Sequence, residues 1–356
     1  MNRGRVFYAV LNMGLGHASR SLSIIQEFLR RGWEVLIGSN GRALEFLKKE
    51  FPGIPYVVTP GYDLKYSESS HQVLTLSLQI PHFLKKIFEE QQFCQQVVRE
   101  YEPSLIVSDH CYGMYHHQVP SYFLSHQIYF ALPRGLSYFS AIPSQFNFYF
   151  HRKYRKVLIP DYADGKGGVL SGALSRVPKK SSRYAYIGLL SSISRKDAPD
   201  EIDILVSISG PEPQRSIFEQ KILSQISSLN GKIIVTLGKS EIDKRETVGE
   251  NITIYSHLPR RMMGEVYNRA RFIISRSGYS TLMELAELGK PALLVPTPGQ
   301  TEQEYLARWV WERQWFYSVS QQKLNLERDL ETAVQYAGLF KPDATDETVE
   351  RFFEEI

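Results

Sequence analysis

The sequence predicts an α/β protein built from two doubly wound parallel sheets, and three observations carry that prediction. Short apolar, β-rich runs alternate with segments of helical periodicity. The alternation begins again near residue 202. In each half a Gly/Ser turn follows an apolar strand and opens a helix, at Gly14–Ser19 and at Ser277–Thr281. With 356 residues, 43% apolar and 22% charged, the chain is long enough for two domains of roughly 150 residues each.

In order, Arg5 to Leu11 reads as a first strand, Gly14-Leu15-Gly16-His17 as a turn, and Leu22, Ile25, Phe28 and Leu29 as the apolar face of a helix. Glu34 to Ile37 is a second strand before a helix over Ala43 to Lys49. Ser104 to Ser108 is a buried strand closed by Asp109. Residues 160 to 200 are rich in Gly, Ser and Lys without clear period, so the boundary falls between Ser191 and Pro199. The domains are therefore expected at 1–195 and 196–356, with a C-terminal helix over about 340–356 able to pack back on the first. The second half runs from the strand Ile202 to Ile208 through the loop Ser209 to Pro213 and a helix over Gln214 to Leu229. Strands follow at Lys232 to Thr236, Ile252 to Tyr255, Phe272 to Ser275 and Ala292 to Val295.

Composition excludes several classes. No apolar run approaches the ~18 residues of a spanning helix, and Val6 to Leu11 is too short for a signal-peptide core, so the expected location is the cytoplasm. Cys94 and Cys111 form neither a CxxC unit nor a disulfide framework and are expected reduced. A net charge of +4 without a basic stripe gives no expectation of nucleic-acid binding, although His151 to Lys156 is a local basic run.

The most telling stretch is Ile274-Ser275-Arg276-Ser277-Gly278-Tyr279-Ser280-Thr281-Leu282-Met283-Glu284. Strand, turn and helix follow without a gap, an arrangement that aims free N–H groups at a phosphate. Ser280 or Thr281 is expected to N-cap the helix, Thr281-x-x-Glu284 fits a capping box, and Gly289 and Pro291 stop it. Arg276 adds a permanent cation beside an end already carrying about +0.5 charge, so an anion is expected there.

Gly14-Leu15-Gly16-His17-Ala18-Ser19 is an incomplete dinucleotide fingerprint. Ser19 replaces the third glycine, and Gly38-Ser39-Asn40 replaces the acid that would bind a ribose. At a helix start a neutral, basic imidazole is favoured over a cation, so His17 could take a proton from a hydroxyl. Asp109, at the same sheet edge, could orient it; a surface histidine and a capping aspartate are the plainer readings. Asp109-His110-Cys111, His116-His117 and His126 offer metal-type ligands but fit no closed zinc template. His126 and Gln127 read as a hydrogen-bonding pair facing a cleft or as buried, satisfied groups. After Pro296-Thr297-Pro298-Gly299, Glu302 and Gln303 suit the gripping of several hydroxyls, or an ordinary polar helix start.

With these motifs the chain resembles the GT-B superfamily of nucleotide-sugar glycosyltransferases, particularly the branch of the bacterial lipid-linked peptidoglycan N-acetylglucosaminyltransferase and the UDP-glycosyltransferases. The likeness is strongest over Asn251 to Ala307, good over residues 5 to 30, weaker around Asp109, and absent over about 60–95 and 135–200. It implies two Rossmann-like domains facing an interdomain cleft, the first binding acceptor and the second donor. On the donor side it implies that Arg276, Ser277, Gly278, Tyr279 and Ser280 hold the diphosphate, with Arg276 where several relatives use histidine. Glu284 would bind the ribose, His257 and Leu258 would pack on the base, and Glu302 and Gln303 would contact the sugar. The loop Ser209-Gly210, with Gln214 and Arg215, would close on the phosphates, and Gly14 and Gly16 would also contact the donor. His17 would be the acceptor base, supported by Asp109, with His126 and Gln127 on the acceptor side.

The implied reaction is an inverting, metal-independent transfer from a UDP-linked sugar to a hydroxyl, needing no cofactor beyond the nucleotide-sugar donor, and the chain has no Asp-x-Asp motif. Gly14-Leu15-Gly16-His17-x-x-Arg20 is also similar to the pattern of a GT-B hydrolase of modified UDP-sugars. An epimerase and a non-catalytic nucleotide-sugar sensor are further alternatives. The acceptor is open. Tyr122-Phe123, Tyr138-Phe139 and Phe146 to Phe150, with the basic run to Lys156, could form a cleft for an apolar or lipid-linked acceptor, a patch for peripheral association with the inner membrane face, or an aromatic core edge.

Overall fold

Why these strands pair as they do follows from their burial on both faces. Val6 to Val10 is wholly buried, a continuous apolar run rather than an alternating one, as a central parallel strand requires. The computed structural model describes residues 3–62, 79–131, 141–178, 181–239 and 243–356; Tyr138 and Phe139 lie outside them. The chain divides into two units, one of residues 3–62, 79–192 and 343–356, the other of 193–342 among those described.

The first unit holds a seven-stranded sheet in the order β3-β2-β1-β4-β5-β6-β9. Its strands are β1 (Arg5–Val10), β2 (Glu34–Ser39), β3 (Tyr56–Val58), β4 (Leu105–Asp109), β5 (Ser121–Leu124), β6 (Lys156–Ile159) and β9 (Tyr184–Tyr186), all parallel. A small hairpin, β7 (Ala163–Asp164) and β8 (Gly167–Gly168), precedes β9. Helices α1 (Gly16–Arg30), α2 (Gly41–Glu50), α3 (Ile80–Tyr101) and α4 (Ala141–His151) connect the strands. Because β1 pairs with β2 on one side and β4 on the other, the winding direction switches between β1 and β4, where Val10 is opposite Asp109. Open sheets of this kind bind ligands at the carboxyl ends of the strands beside that switch.

The second unit repeats the plan in the order β12-β13-β11-β10-β14-β15-β16. The strands are β10 (Ile202–Ser207), β11 (Ile233–Thr236), β12 (Arg245–Val248), β13 (Ile252–Tyr255), β14 (Ala270–Ser275), β15 (Ala292–Leu294) and β16 (Tyr317–Ser318); only the edge strand β12 is antiparallel. Helices α5 (Gln214–Leu223), α6 (Arg260–Arg269), α7 (Tyr279–Leu288), α8 (Thr301–Glu312) and α9 (Leu326–Ala333) complete it. The switch here lies between β10 and β14.

The last helix, α10 (Thr345–Glu355), belongs to the first unit. Phe352 is fully buried, Phe353 meets Phe28 edge-on at 4.6 Å, and Lys156 pairs with Glu355 at 2.5 Å.

Several residues of the aromatic segments lie in the core of the first unit. Tyr122 and Phe123 lie in β5 with 2% and 0% exposure, and Phe150 joins the same core, while Tyr149 is exposed. The basic run is split likewise: His151 and Tyr154 face inward, and Tyr154 Oη donates to the Cys111 carbonyl at 2.9 Å, leaving Arg152, Lys153 and Arg155 outside. Cys94 and Cys111 are unbridged and buried. No helix among the described residues is long and apolar enough to cross a membrane.

Candidate active site

The first constellation forms at the β1–β4 switch. Gly14 has φ +72° and a position where a Cβ would touch nothing within 4 Å, so the turn is left-handed and open. Gly16 begins α1, and His17 in its first turn lies against Asp109 at the end of β4, with Nδ1 2.8 Å from Oδ1. A carboxylate only accepts, so Nδ1 carries the proton, and in the neutral ring Nε2 is then the nitrogen with the lone pair.

Arg20 and Ser21, one turn further along α1, complete the grip on Asp109. Arg20 Nε donates to Oδ2 at 2.8 Å, its Nη2 donates to Oδ1, and Ser21 Oγ reaches Oδ2 at 2.9 Å. Burial alone would raise the Asp109 carboxyl; the Arg20 guanidinium and the neighbouring His17 overcome it and hold the group well below the usual carboxylate range. Arg20 Nη1 also donates to His126 Nδ1 at 3.2 Å, which brings the predicted His126 into the same network. The next residue, Gln127, is anchored through its backbone: its N–H goes to Ser125 Oγ and its carbonyl accepts from Asn147.

His110 was not singled out as a separate residue by sequence, yet it is the most constrained group here. Its backbone is left-handed at φ +63°, its ring is 5.4 Å from that of His17, and Nδ1 is buried without a hydrogen-bond partner among the described residues. Burial, with His17, Arg20 and His126 around it, pushes its basicity well below the usual histidine range. Of the metal-type ligands, Asp109, His110 and His126 lie around the Arg20 guanidinium, while the rings of His116 and His117 lie 4.5 Å apart against each other; among the described residues no three His, Cys, Asp or Glu side chains converge to hold a metal ion.

The second constellation forms at the β10–β14 switch, and here Arg276 differs from its sequence reading. Its side-chain donors are taken up by the protein itself. It is 1% exposed and directs its donors to five acceptors: the carbonyls of Ser209 (3.4 Å), Val295 (3.2 Å), Pro296 (3.3 Å) and Gln214 (2.9 Å), and Gln321 Oε1 (2.7 Å). A guanidinium has five N–H donors, so this set uses them all. The ring of Phe218 lies 4.0 Å beneath. Burial lowers its pKa to about 9, which still leaves it charged at neutral pH.

The helix start is also simpler than a capping box. Gly278 is the N-cap of α7 with ordinary φ −67°, no side chain caps the end, and Thr281 lies inside the first turn, so neither Ser280 nor Thr281 is the cap. A Cβ on Gly278 would meet only Thr281 Oγ1 at 3.8 Å. Neither backbone conformation nor packing demands glycine there; what its absent side chain provides is access to the uncapped first turn. Tyr279 is buried, and Ser280 and Glu284 are half-buried.

Around this helix start the loops are tied to one another. Ser277 Oγ donates to the Gln303 carbonyl at 2.9 Å, Gln303 Oε1 accepts the Thr297 N–H at 2.9 Å, and Gln303 Nε2 donates to Gln300 at 2.5 Å. Gln303 thus holds loops together rather than presenting a free amide, while Glu302 sits in the first turn of α8. Gly210 is left-handed at φ +121°, and a Cβ on it would lie 3.6 Å from Thr297 Oγ1 and 3.8 Å from Arg276 Nε. Thr297 Oγ1 is buried without a hydrogen-bond partner among the described residues. Arg215 is committed elsewhere, to Glu219 at 2.9 Å, to Glu212 and to the Leu237 carbonyl at 3.1 Å. His257 and Leu258 follow β13 at the same sheet edge, Leu258 buried at 3% exposure.

Comparison with known proteins agrees with this arrangement. Residues 213–351 match the glycosyltransferase family 28 C-terminal domain, and residues 4–122 match glycosyl transferase family 1. A protein of Methanosarcina acetivorans described as an uncharacterized glycosyltransferase is 25% identical over 322 residues, covering 84% of this chain and 81% of that one. The UDP-N-acetylglucosamine–N-acetylmuramyl-(pentapeptide) pyrophosphoryl-undecaprenol N-acetylglucosamine transferase of Sulfurihydrogenibium sp. is 27% identical over 203 residues, 51% of this chain and 54% of that one. The crystal structure of MurG from Acinetobacter baumannii superposes with a TM-score of 0.58 at 14% identity, over 99% of both chains. Two doubly wound units with these motifs at their switch points define a GT-B glycosyltransferase, an enzyme of sugar transfer. Within that class the chain resembles the branch of the peptidoglycan N-acetylglucosaminyltransferase and the UDP-glycosyltransferases.

Proposed function

We propose that this enzyme transfers a sugar from a UDP-linked donor to a hydroxyl acceptor with inversion, without a metal or other cofactor, and with His17 as general base. The observation that carries this reading is the 2.8 Å contact of His17 Nδ1 with the buried Asp109 beside the β1–β4 switch. Asp109 fixes the tautomer in which Nε2 is the base, and the acceptor oxygen, losing its proton to Nε2, attacks the anomeric carbon as the nucleoside diphosphate departs. Negative charge developing on the diphosphate would meet the first-turn N–H groups of α7, reached over Gly278. Arg276, charged and surrounded by neutral acceptors, adds positive potential beside the Ser209–Gly210 loop without touching the ligand. Glu284 and Glu302 remain proposed contacts of the ribose and the sugar.

His17→Ala should leave donor affinity by calorimetry nearly intact while turnover falls ~10²-fold or more; undiminished turnover would remove His17 from the reaction. Thermal-shift screening against UDP-, GDP-, dTDP- and CMP-sugars tests the donor, since a ligand of the native state raises its melting temperature. A second reading, hydrolysis with water as acceptor, is favoured by Arg20, which completes the Gly-Leu-Gly-His-x-x-Arg pattern and grips Asp109. Free sugar released from the donor without any acceptor would select it.

A further inference from the structure

Asp109 serves two partners, and His17 is only one of them. Arg20, 3% exposed, holds the carboxylate through Nε at 2.8 Å and through Nη2, so the fully buried anion has its counter-ion before the histidine is considered. The same Nη2 lies 3.0 Å from His17 Nδ1. Since Nδ1 donates to Asp109, this approach is one of cation to N–H, not a hydrogen bond. Among the described residues, the other titratable groups beside the pair are His110 after β4 and His126 after β5, with Tyr8 of β1 and Cys111 within electrostatic reach of Asp109. None of these supplies a second anion.

Charge bookkeeping then separates two effects that a carboxylate ordinarily exerts together. In a simple His–Asp pair the carboxylate both orients the ring and favours the imidazolium, because protonation neutralises the pair. With Arg20 present the group is already neutral when the imidazole is neutral, and protonation creates an unbalanced positive charge beside a buried ion pair. Orientation is unaffected, since Nδ1–H still has Oδ1 as its acceptor.

We propose that Arg20 is a positioning residue that lets Asp109 fix the tautomer of His17 while cancelling the carboxylate's pull toward the imidazolium. The kinetic consequence rests on His17 being the base of the proposed reaction; the electrostatic linkage does not. NMR of the full-length protein carrying labelled histidine, with His17 assigned by comparison with His17→Gln, follows ring protonation directly. Arg20→Gln should move that protonation to higher pH by about one to three units and carry the acid limb of the kcat/KM profile with it. Asp109→Asn, which leaves the cation facing Nδ1 alone, should move it the opposite way and tests the same linkage if Arg20→Gln fails to fold. An unmoved His17 titration in either folded variant overturns the proposal. A His17→Ala enzyme that keeps its turnover would instead remove the base from the reaction and leave the NMR result standing.

Discussion

Arg276 shows how a single residue can be visible in sequence while its job is not. A cation placed three residues before a helix start suggests an anion, and the inference from charge is sound as far as it goes. The five acceptors that occupy it come from residues 209, 214, 295, 296 and 321, loops that only the fold brings together. Arg276→Lys keeps the charge but cannot reach all five, so several buried carbonyls lose their donor; a loss of about 2–4 kcal/mol in urea unfolding is expected. Unchanged stability would mean that the fan of hydrogen bonds is dispensable. His17 and Asp109, by contrast, were legible as candidates, and the structure joins them. The missing signal was spacing: His17, Arg20 and Ser21 stand at i, i+3 and i+4, one face of α1, so an acid that meets the first meets all three.

At the scale of elements, strands buried on both faces were legible because burial forces an unbroken apolar run, as in Val6 to Val10 of β1 and Leu105 to Val107 of β4. Other elements were hidden for identifiable reasons. β5 and β6 have four residues each, too short a run to show a period of its own. α3 buries Ile87, Glu90, Cys94 and Val97 but exposes Ile80, Leu84 and Phe88, which blurs its apolar face. α7 was placed correctly but its start was not, because Thr281-x-x-Glu284 satisfies the capping pattern while the helix begins at Tyr279. That difference is testable. Gly278→Ala introduces a Cβ the protein itself accommodates, so the ligand-free melting temperature should hold while donor affinity falls about tenfold or more, ~1.4 kcal/mol. Full donor affinity in this variant would place the diphosphate away from the start of α7.

Over the whole molecule, buried ionisable groups of opposite sign bound the pH range in which the fold is most stable. On the acid side, burial lowers His151 to about 3, below its unfolded value of 6.5, so the unfolded chain binds the extra proton and stability is lost as pH falls from 6.5 toward 3. Asp109 acts in the same direction at lower pH, its stabilisation present above the ordinary carboxyl range and lost as pH falls through its depressed value. Glu90 sets the opposite limb. It is 1% exposed, accepts from Tyr62 Oη at 2.5 Å and from the Gly113 N–H at 2.8 Å, and burial raises it from 4.5 to about 8. Its folded form therefore holds a proton that the unfolded chain releases, so its contribution is complete below pH 4.5 and is lost as pH rises through 8. Glu90→Gln offers the same carbonyl-type acceptor without an ionisation. Its stability relative to the native enzyme should be level near pH 4.5, rise by roughly 2 kcal/mol or more up to about pH 8, and stay flat beyond. Urea unfolding at several pH values between 4.5 and 9 measures that difference; a difference that does not change with pH would show that Glu90 is ionised in the folded protein throughout.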